Sequence, residues 1–150
     1  MRVGPVEADS DDVNAALTLN ASQNLPVGAP VVLVADDDPD ILTMVQLRLE
    51  RCGYTVLTAR NGREAVELTG AQLPDLVVLD IAMPVLSGLE ALAEIKAAPL
   101  TKTIPVILLT ARATPGDIET GLAAGASEYL TKPFSPQELA ARVAAFIKRG

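Results

Sequence analysis

The sequence has no histidine and only one cysteine, Cys52, among its 150 residues. These two shortages exclude disulfide frameworks, zinc sites built from histidine and cysteine, Ser-His-Asp triads and Cys-His nucleophile pairs. Any chemistry that the chain performs must therefore use carboxylates, hydroxyls and amines.

Basic residues are also scarce, since 12 lysines and arginines stand against 19 acidic residues and give a formal net charge of −7. A domain that binds nucleic acid by itself normally carries a positive patch, so we expect no direct contact with DNA or RNA. The sequence also lacks an N-terminal signal peptide and any apolar run of the roughly 18 to 20 residues that span a membrane. We therefore predict a soluble cytoplasmic protein that does not associate with membranes.

The first 29 residues differ from the rest of the chain. They show no sustained hydrophobic periodicity and end in the Pro/Gly stretch LPVGAP. The whole chain, in contrast, is 49% hydrophobic and 21% charged, which is typical of a globular protein. We predict a flexible acidic tail over residues 1–29 and a single folded domain over residues 30–150.

The tail holds a short acidic stretch followed by apolar residues. Its acidic residues are Glu7, Asp9, Asp11 and Asp12, against the single basic residue Arg2. A helix over residues 12–19 is the alternative to disorder, because Val13, Ala16 and Leu17 would share one face. An isolated helix of that length is marginal in water, which favours disorder.

From Pro30 onward, short β-branched runs alternate with helical patterns. The predicted strands are Val31–Ala35, Tyr54–Ala59, Leu76–Leu79, Val106–Leu109 and Glu128–Thr131. The first, third and fourth runs are almost wholly apolar, as expected when helices cover both faces of a parallel sheet. Five strands alternating with five helices predict an α/β fold, a doubly wound five-stranded parallel sheet in a three-layer sandwich.

Residues that begin and end helices lie between the predicted strands. The predicted starts are Asn61, Thr114 before Pro115, and a capping box over residues 135–138. The predicted stops are Gly53, Gly70 and Gly125, where a left-handed residue can end a helix.

Polar side chains stand where apolar runs stop. Asp36 and Asp37 follow the first run, Asp80 follows the third, Thr110 follows the fourth and Lys132 follows the fifth. Because the carboxyl ends of parallel strands face one crevice, we expect these side chains to meet in space. Their combination predicts a site for phosphoryl transfer.

Three consecutive carboxylates, Asp36, Asp37 and Asp38, begin this site. Helix capping and the helix dipole explain Asp38 and Asp40, but they do not explain Asp80, which ends a different strand. Clustered carboxylates without histidine or thiolate ligands suit Mg²⁺ rather than Zn²⁺. We therefore predict a bound Mg²⁺.

A cation beside Asp80 can bring in a phosphorylated donor, and the Asp80 carboxylate can then attack phosphorus to form an aspartyl phosphate. Such transfer needs alignment and positive charge around the moving phosphoryl group. Lys132 and Mg²⁺ would supply the charge, and the Thr110 hydroxyl would supply a hydrogen bond.

Four segments resemble the receiver domain of bacterial two-component response regulators: VVLVADDDPDI, LVVLDIAMPVLSGLE, PVILLTA and GASEYLTKPFSPQEL. The resemblance covers about Val31 to Lys148. It implies a flavodoxin-like sandwich with strand order 2-1-3-4-5. It also implies that a sensor histidine kinase or a histidine phosphotransfer protein donates the phosphoryl group, and that a downstream effector protein or an output domain responds.

The resemblance also implies roles for residues at matching positions. Asp80 would be the phosphoacceptor, Asp37 a direct Mg²⁺ ligand and Asp36 a ligand through water, while the Ala82 carbonyl would complete the protein's share of the metal shell. Lys132 would bind phosphoryl oxygens.

Thr110 would bind phosphoryl oxygens as well, and Lys132–Pro133 would be a cis peptide. Tyr129 matches the family's switch aromatic. In that hypothesis phosphorylation draws Thr110 toward the phosphate and Tyr129 turns inward, which alters the surface of the fourth helix, fifth strand and fifth helix. The alternative is that Tyr129 is an ordinary residue of an amphipathic strand.

Some positions depart from the family pattern. Ala82 has no polar group to orient water and Arg112 could shield the phosphate, so we expect slow self-dephosphorylation. The dimer of the winged-helix transcription-factor subfamily uses charged residues where this chain has Thr120 and Ala123. Arg142 and Glu128 keep part of that pattern, which leaves a phosphorylation-dependent homodimer open.

Two other functions fit parts of the pattern. A haloacid-dehalogenase-like phosphatase would use Asp36 as nucleophile and Asp38 as acid, but it needs an acidic motif after Lys132, where only Glu138 occurs. The other is a degenerate receiver that acts only as an interaction module. Because the chain stops at Gly150, it is either a single-domain regulator or the receiver part of a larger protein.

Overall fold

The computed structural model describes residues 28–111 and 114–147. Apart from its last two residues, the predicted acidic tail lies outside these ranges, as do Arg112 and the last three residues of the predicted domain.

Five strands alternate with five helices, as the sequence predicts. The strands are β1 (Val31–Ala35), β2 (Thr55–Ala59), β3 (Leu76–Asp80), β4 (Val106–Thr110) and β5 (Glu128–Thr131). The helices are α1 (Pro39–Arg51), α2 (Gly62–Gln72), α3 (Gly88–Ala97), α4 (Pro115–Ala123) and α5 (Pro136–Phe146).

The strands form one parallel sheet in the order β2-β1-β3-β4-β5. This order confirms the doubly wound fold with order 2-1-3-4-5. It also makes β1 and β3 neighbours, with Ala35 in register with Leu79, so the residues that follow these strands lie side by side.

Helices cover both faces of the sheet because successive strand residues point to opposite sides. On one side, Val32 and Val34 of β1 belong to a core with side chains of α1 and α5. On the other side, Leu33 and Ala35 belong to a second core with side chains of α2 and α3. Strands β3 and β4 are buried along their whole length, which explains their wholly apolar runs.

Two strands extend one residue further than the sequence predicts. Asp80 is the last residue of β3 and Thr110 the last residue of β4, so both belong to the sheet edge. The hydrogen-bonded pairing with neighbouring strands therefore determines the directions of the Asp80 and Thr110 side chains.

The helix starts at Asn61 and Thr114 are confirmed, because each side chain accepts a hydrogen bond from a backbone N–H of the first turn. Ser135 caps α5 in the same way. The predicted capping box at Ser135 is only half formed. The Glu138 N–H donates to the Ser135 hydroxyl, but within the described residues the Ser135 N–H does not donate to the Glu138 carboxylate. A full capping box instead joins Ser87 and Glu90 at the start of α3.

Two of the three predicted glycine stops are confirmed, because Gly53 and Gly125 have φ angles of 97° and 111°. The stop at Gly70 is wrong. Helix α2 continues through Gly70 to Gln72, and Leu73 with φ 49° ends it in the left-handed conformation. Within the described ranges, no helix has the length and apolar character to cross a membrane.

Candidate functional site

A cleft of about 490 Å³ lies at the carboxyl edge of the sheet. Because β1, β3, β4 and β5 run parallel, the residues that end or follow them open into this cleft. Its lining contains every predicted catalytic and metal-binding residue: Asp36, Asp37, Asp80, Ala82, Thr110 and Lys132, together with Asp38, Ile81 and Ala111.

Three carboxylates of the cleft form a tight cluster. Asp36, Asp37 and Asp80 each offer an oxygen, and these atoms lie within 4.8 Å of one another. Asp36 is fully buried, Asp80 is 4% exposed and Asp37 is exposed. Negative charges at this spacing repel in a poorly solvated site, and a hard divalent cation with oxygen ligands offsets the repulsion. The donor set therefore fits Mg²⁺, as the sequence predicts.

Lys132 reaches the cluster from the end of β5. Its Nζ donates to Asp36 Oδ2 at 2.9 Å and lies 3.3 Å from Asp80 Oδ1. Burial disfavours the charged ammonium, but hydrogen bonds and charges from Asp36 and Asp80 outweigh burial and raise the pKa of Lys132. The backbone N–H of Lys132 donates to the Thr110 carbonyl, and the Lys132–Pro133 peptide is cis, as predicted.

The Asp80 carboxyl is the group whose proton affinity the site changes most clearly. Desolvation by burial raises the pKa of Asp80 to about 6, and the charges of Asp36 and Asp37 act in the same direction. Lys132 opposes them without reversing the shift. Asp80 is therefore mainly ionised at neutral pH, but its charge is poorly compensated by the protein alone.

The aspartates that follow β1 have different roles. Asp36 points into the cleft, where its Oδ1 accepts from the Asp38 backbone N–H at 2.9 Å. Asp38 is the N-cap of α1 and accepts from the Asp40 N–H at 2.9 Å. The helix-start explanation is thus confirmed for Asp38, whereas Asp36 is buried beside Lys132.

Residues 32–144 match the family model described as the response regulator receiver domain. The chain belongs to this family. It is 43% identical over 118 residues to the alkaline phosphatase synthesis transcriptional regulatory protein PhoP of Bacillus subtilis, a match that covers 79% of this chain and 48% of PhoP. The chain spans about half the length of the curated relatives that it matches.

Solved structures agree with this assignment. Vibrio cholerae chemotaxis protein CheY4 is 32% identical with a TM-score of 0.76, and the match covers 80% of this chain and 100% of CheY4. The receiver domain of the sensor histidine kinase PA1611 from Pseudomonas aeruginosa, solved with a magnesium ion in its active site cleft, is 34% identical with a TM-score of 0.73. That match covers 79% of this chain and 98% of the PA1611 domain.

In this receiver domain, Tyr129 lies beside the cleft rather than in it. The half-buried ring lines a smaller cavity of about 150 Å³ with Ile81, Leu89, Thr110, Asp117 and Thr120. Thr110 lines both cavities and therefore connects them. Gly121 of α4 faces the ring, since a Cβ atom there would lie 3.0 Å from Tyr129 Cε2.

Arg142 and Glu128, which were considered for a dimer contact, form an ion pair with each other within the chain. Arg142 Nη1 donates to Glu128 Oε2 at 2.6 Å and joins α5 to β5. Arg142 Nη2 also lies 3.9 Å from Glu138. Both residues of the retained pair thus have an intramolecular partner in this receiver domain.

Gly88 is a site residue that sequence reasoning missed. Its N–H donates to the Ile81 carbonyl at 2.8 Å, which folds the loop after β3 back on itself. A Cβ atom on Gly88 would collide with the Asp80 carbonyl oxygen and lie 2.8 Å from Ile81 Cα. The glycine eight positions after Asp80 in LVVLDIAMPVLSGLE was the available signal.

We expect Gly88→Ala to lower the free energy of unfolding by about 2 to 3 kcal/mol. The new methyl group meets backbone atoms, so the Asp80 peptide must shift. Urea denaturation checks the stability. Gly70→Ala is the control, because a Cβ atom at Gly70 has nothing within 4 Å, and we expect it to be neutral or stabilising by about 0.5 to 1 kcal/mol. Equal effects of the two substitutions would contradict the steric argument.

Proposed function

We propose that this protein accepts a phosphoryl group on Asp80, with Mg²⁺ as cofactor, from a sensor histidine kinase or a histidine phosphotransfer protein. The observation that carries the proposal is the position of Asp80. Its buried carboxylate has a pKa of about 6, lies 3.3 Å from the Lys132 ammonium and shares a cluster with Asp36 and Asp37.

The chain's own residues supply most of the transfer step. One Asp80 oxygen forms a bond to phosphorus while the bond from phosphorus to the donor's imidazole nitrogen breaks, and the imidazole leaves. With a pKa of about 6, Asp80 is ionised and ready to attack at neutral pH. Lys132 balances the negative charge on the phosphoryl oxygens, and the Thr110 hydroxyl donates a hydrogen bond to one of them.

Asp36, Asp37, Asp80 and the Ala82 carbonyl are the groups proposed to hold Mg²⁺. The ion supplies positive charge that offsets the carboxylates and the entering phosphoryl oxygens. The clustering of the three carboxylates supports this assignment, and the PA1611 receiver domain carries a magnesium ion in its cleft.

Incubation with acetyl phosphate and Mg²⁺, followed by intact-mass measurement, tests this proposal. We expect the wild-type chain to gain one phosphoryl group and Asp80→Ala to gain none. Glu119→Ala is the control, because Glu119 is exposed, lies outside the cleft and the Tyr129 cavity, and should leave the gain unchanged. Phosphorylation of Asp80→Ala to the wild-type level would show that another residue is the acceptor, and no gain in wild type would favour an interaction module.

Slow self-dephosphorylation belongs to the same proposal. Ala82 lines the cleft but has no polar side chain to orient an attacking water, whereas Arg112 lies outside the described residues. The decay of the mass gain in the same samples measures the lifetime. A lifetime of only seconds would contradict this part of the proposal.

We further propose that phosphorylation changes the surface formed by α4, β5 and α5, and that this surface controls an effector protein or an output domain. Thr110 supports this because it lines both the cleft and the Tyr129 cavity. Gly121 is the one buried residue of α4, so few buried side chains oppose a shift of this helix. We expect a phosphate mimic to shift the Tyr129 ring resonances in NMR spectra, and unchanged resonances would contradict the switch.

The phosphatase alternative has less support. It requires Asp36 as nucleophile and Asp38 as acid, but Asp36 is fully buried against Lys132 and Asp38 caps α1. We therefore propose phosphoryl acceptance rather than turnover of phosphate esters.

A further inference from the structure

An open groove outside the acidic cleft runs between α1 and the start of α5. It has a volume of about 320 Å³ and is lined by Met44, Leu47, Arg48, Arg51, Pro136 and Gln137, and we call it the α1 groove. Met44 and Leu47 are 37% and 50% exposed, although both are large and apolar. The groove thus offers apolar surface that the described residues leave uncovered.

The charge of the α1 groove is positive, in a protein whose net charge is −7. Among the described residues, Arg48 and Arg51 are the only ionisable ones that line it. Over residues 28–111 and 114–147, neither guanidinium makes an ion pair or a hydrogen bond. Glu50, on the same helix, accepts instead from the Gln46 amide at 3.1 Å. An apolar groove with two uncompensated cations suits a ligand that is both acidic and apolar.

The chain itself contains a segment of this chemistry. Residues 7–19 carry four acidic residues and no basic residue, and their last part includes Val13, Ala16 and Leu17 at a spacing that forms one face of a helix. We propose that residues 7–19 bind in the α1 groove, with carboxylates against Arg48 and Arg51 and apolar side chains against Met44 and Leu47.

The segment attaches at the edge of the sheet where the Arg51 end of the groove lies. The chain enters the sheet at Val31, in register with Thr55, and the Thr55 N–H donates to the Pro30 carbonyl at 2.9 Å. Arg51 precedes Thr55 by only four residues, so the end of α1 and the start of β1 lie at the same edge of the sheet. The connecting residues 20–30 can span about 35 Å when extended, whereas α1 is about 20 Å long.

Because residues 7–19 are covalently linked to the domain, weak binding is sufficient to fill the groove. The short connection gives the segment an effective concentration of about 1 mM at the groove, so a dissociation constant in the same range fills about half of the sites. The groove shares Met44 with a second surface that includes Lys132, Pro133 and Phe134. A bound segment therefore lies beside the acidic cleft rather than inside it.

Paramagnetic NMR on the full chain tests this proposal. A nitroxide label is placed at residue 10 as Ser10→Cys in a Cys52→Ser background, and amide intensities are compared with those of the reduced label. We expect amides of α1 from Met44 to Arg51 to lose more than half of their intensity, because binding this weak exchanges rapidly and every copy spends time with the label beside α1. The amides of α3, on the opposite face of the sheet, should keep theirs.

The charge-reversed variant Arg48→Glu/Arg51→Glu should recover the lost intensity. Arg60→Glu/Lys102→Glu, which makes the same change in net charge at exposed sites outside the groove, should not. Unbroadened α1 amides, or broadening that survives reversal of both groove arginines, would overturn the proposal. Broadening in a mixture of isotope-labelled and spin-labelled copies would overturn it in favour of binding by a second copy.

Discussion

Asp80→Asn is expected to raise the free energy of unfolding of the metal-free protein by about 3 kcal/mol at pH 7.5. The reason is the buried charge of Asp80, since burial and two neighbouring carboxylates raise its pKa from 3.8 to about 6. A shift of that size corresponds to about 3 kcal/mol of differential stability between its two protonation states. Asparagine keeps the shape and removes the charge.

The expected gain depends on pH, and its sign follows from the direction of the shift. Because the folded state holds the Asp80 proton more tightly than the unfolded state, stability decreases as pH rises from about 4 to about 6. The wild-type protein and Asp80→Asn should therefore have similar stability near pH 4 and differ by the full amount above pH 7.

Urea denaturation with a chelator at several pH values measures this difference. Glu119→Gln is the control, because Glu119 is exposed and lies outside the cleft lining, so its effect should be small and independent of pH. Adding Mg²⁺ should stabilise wild type more than Asp80→Asn, because the variant lacks one proposed ligand. A gain that is the same at pH 4 and pH 7.5 would rule out charge burial as its cause.

Lys132→Met is expected to act in the opposite direction, lowering the free energy of unfolding by about 3 kcal/mol at pH 7. Methionine keeps much of the side-chain length but leaves the fully buried Asp36 without the cation that lies 2.9 Å from it. Because the pKa of Lys132 is raised above its usual value, the lysine's contribution is present in full at neutral pH and is lost only as the pH rises through that raised pKa.

The same substitution should slow phosphorylation by acetyl phosphate on the order of 100-fold, since the ammonium is proposed to balance charge on the phosphoryl oxygens. Stability is measured by denaturation and the rate by intact mass at saturating Mg²⁺. Lys102→Met is the control, because Lys102 is exposed and far from the cleft lining. Unchanged stability in Lys132→Met would mean that Asp36 does not depend on the lysine. An unchanged rate would remove Lys132 from the proposed mechanism.

Much of the fold was predictable because its signals are local. The predicted bounds of β1 and β5 are correct to the residue, and Asn61 and Thr114 correctly predicted two helix starts. Local signals were less reliable where a residue has two possible uses. Gly70 can end a helix, but at that position the helix continues and Leu73 takes the left-handed conformation.

The sequence predicted which residues would come together in the cleft. The polar residues that follow apolar strands meet in one cleft because parallel strands share a carboxyl edge. Gly88 was missed because its importance depends on a carbonyl group of Asp80, which approaches it only after the loop has folded. Lys132 was predicted to meet the carboxylates, but its hydrogen bond of 2.9 Å to Asp36 depends on the folded positions of both residues.

The sequence alone determined the order of strands and helices, the residues available for chemistry and the family, because these depend on residue type and short-range spacing. Only the tertiary structure decided how close and how buried the charges are. Asp36 and Lys132 are 96 residues apart in the chain yet form a hydrogen bond of 2.9 Å. The pKa of Asp80 and the open α1 groove likewise result from desolvation and packing between distant elements, which short-range patterns do not contain.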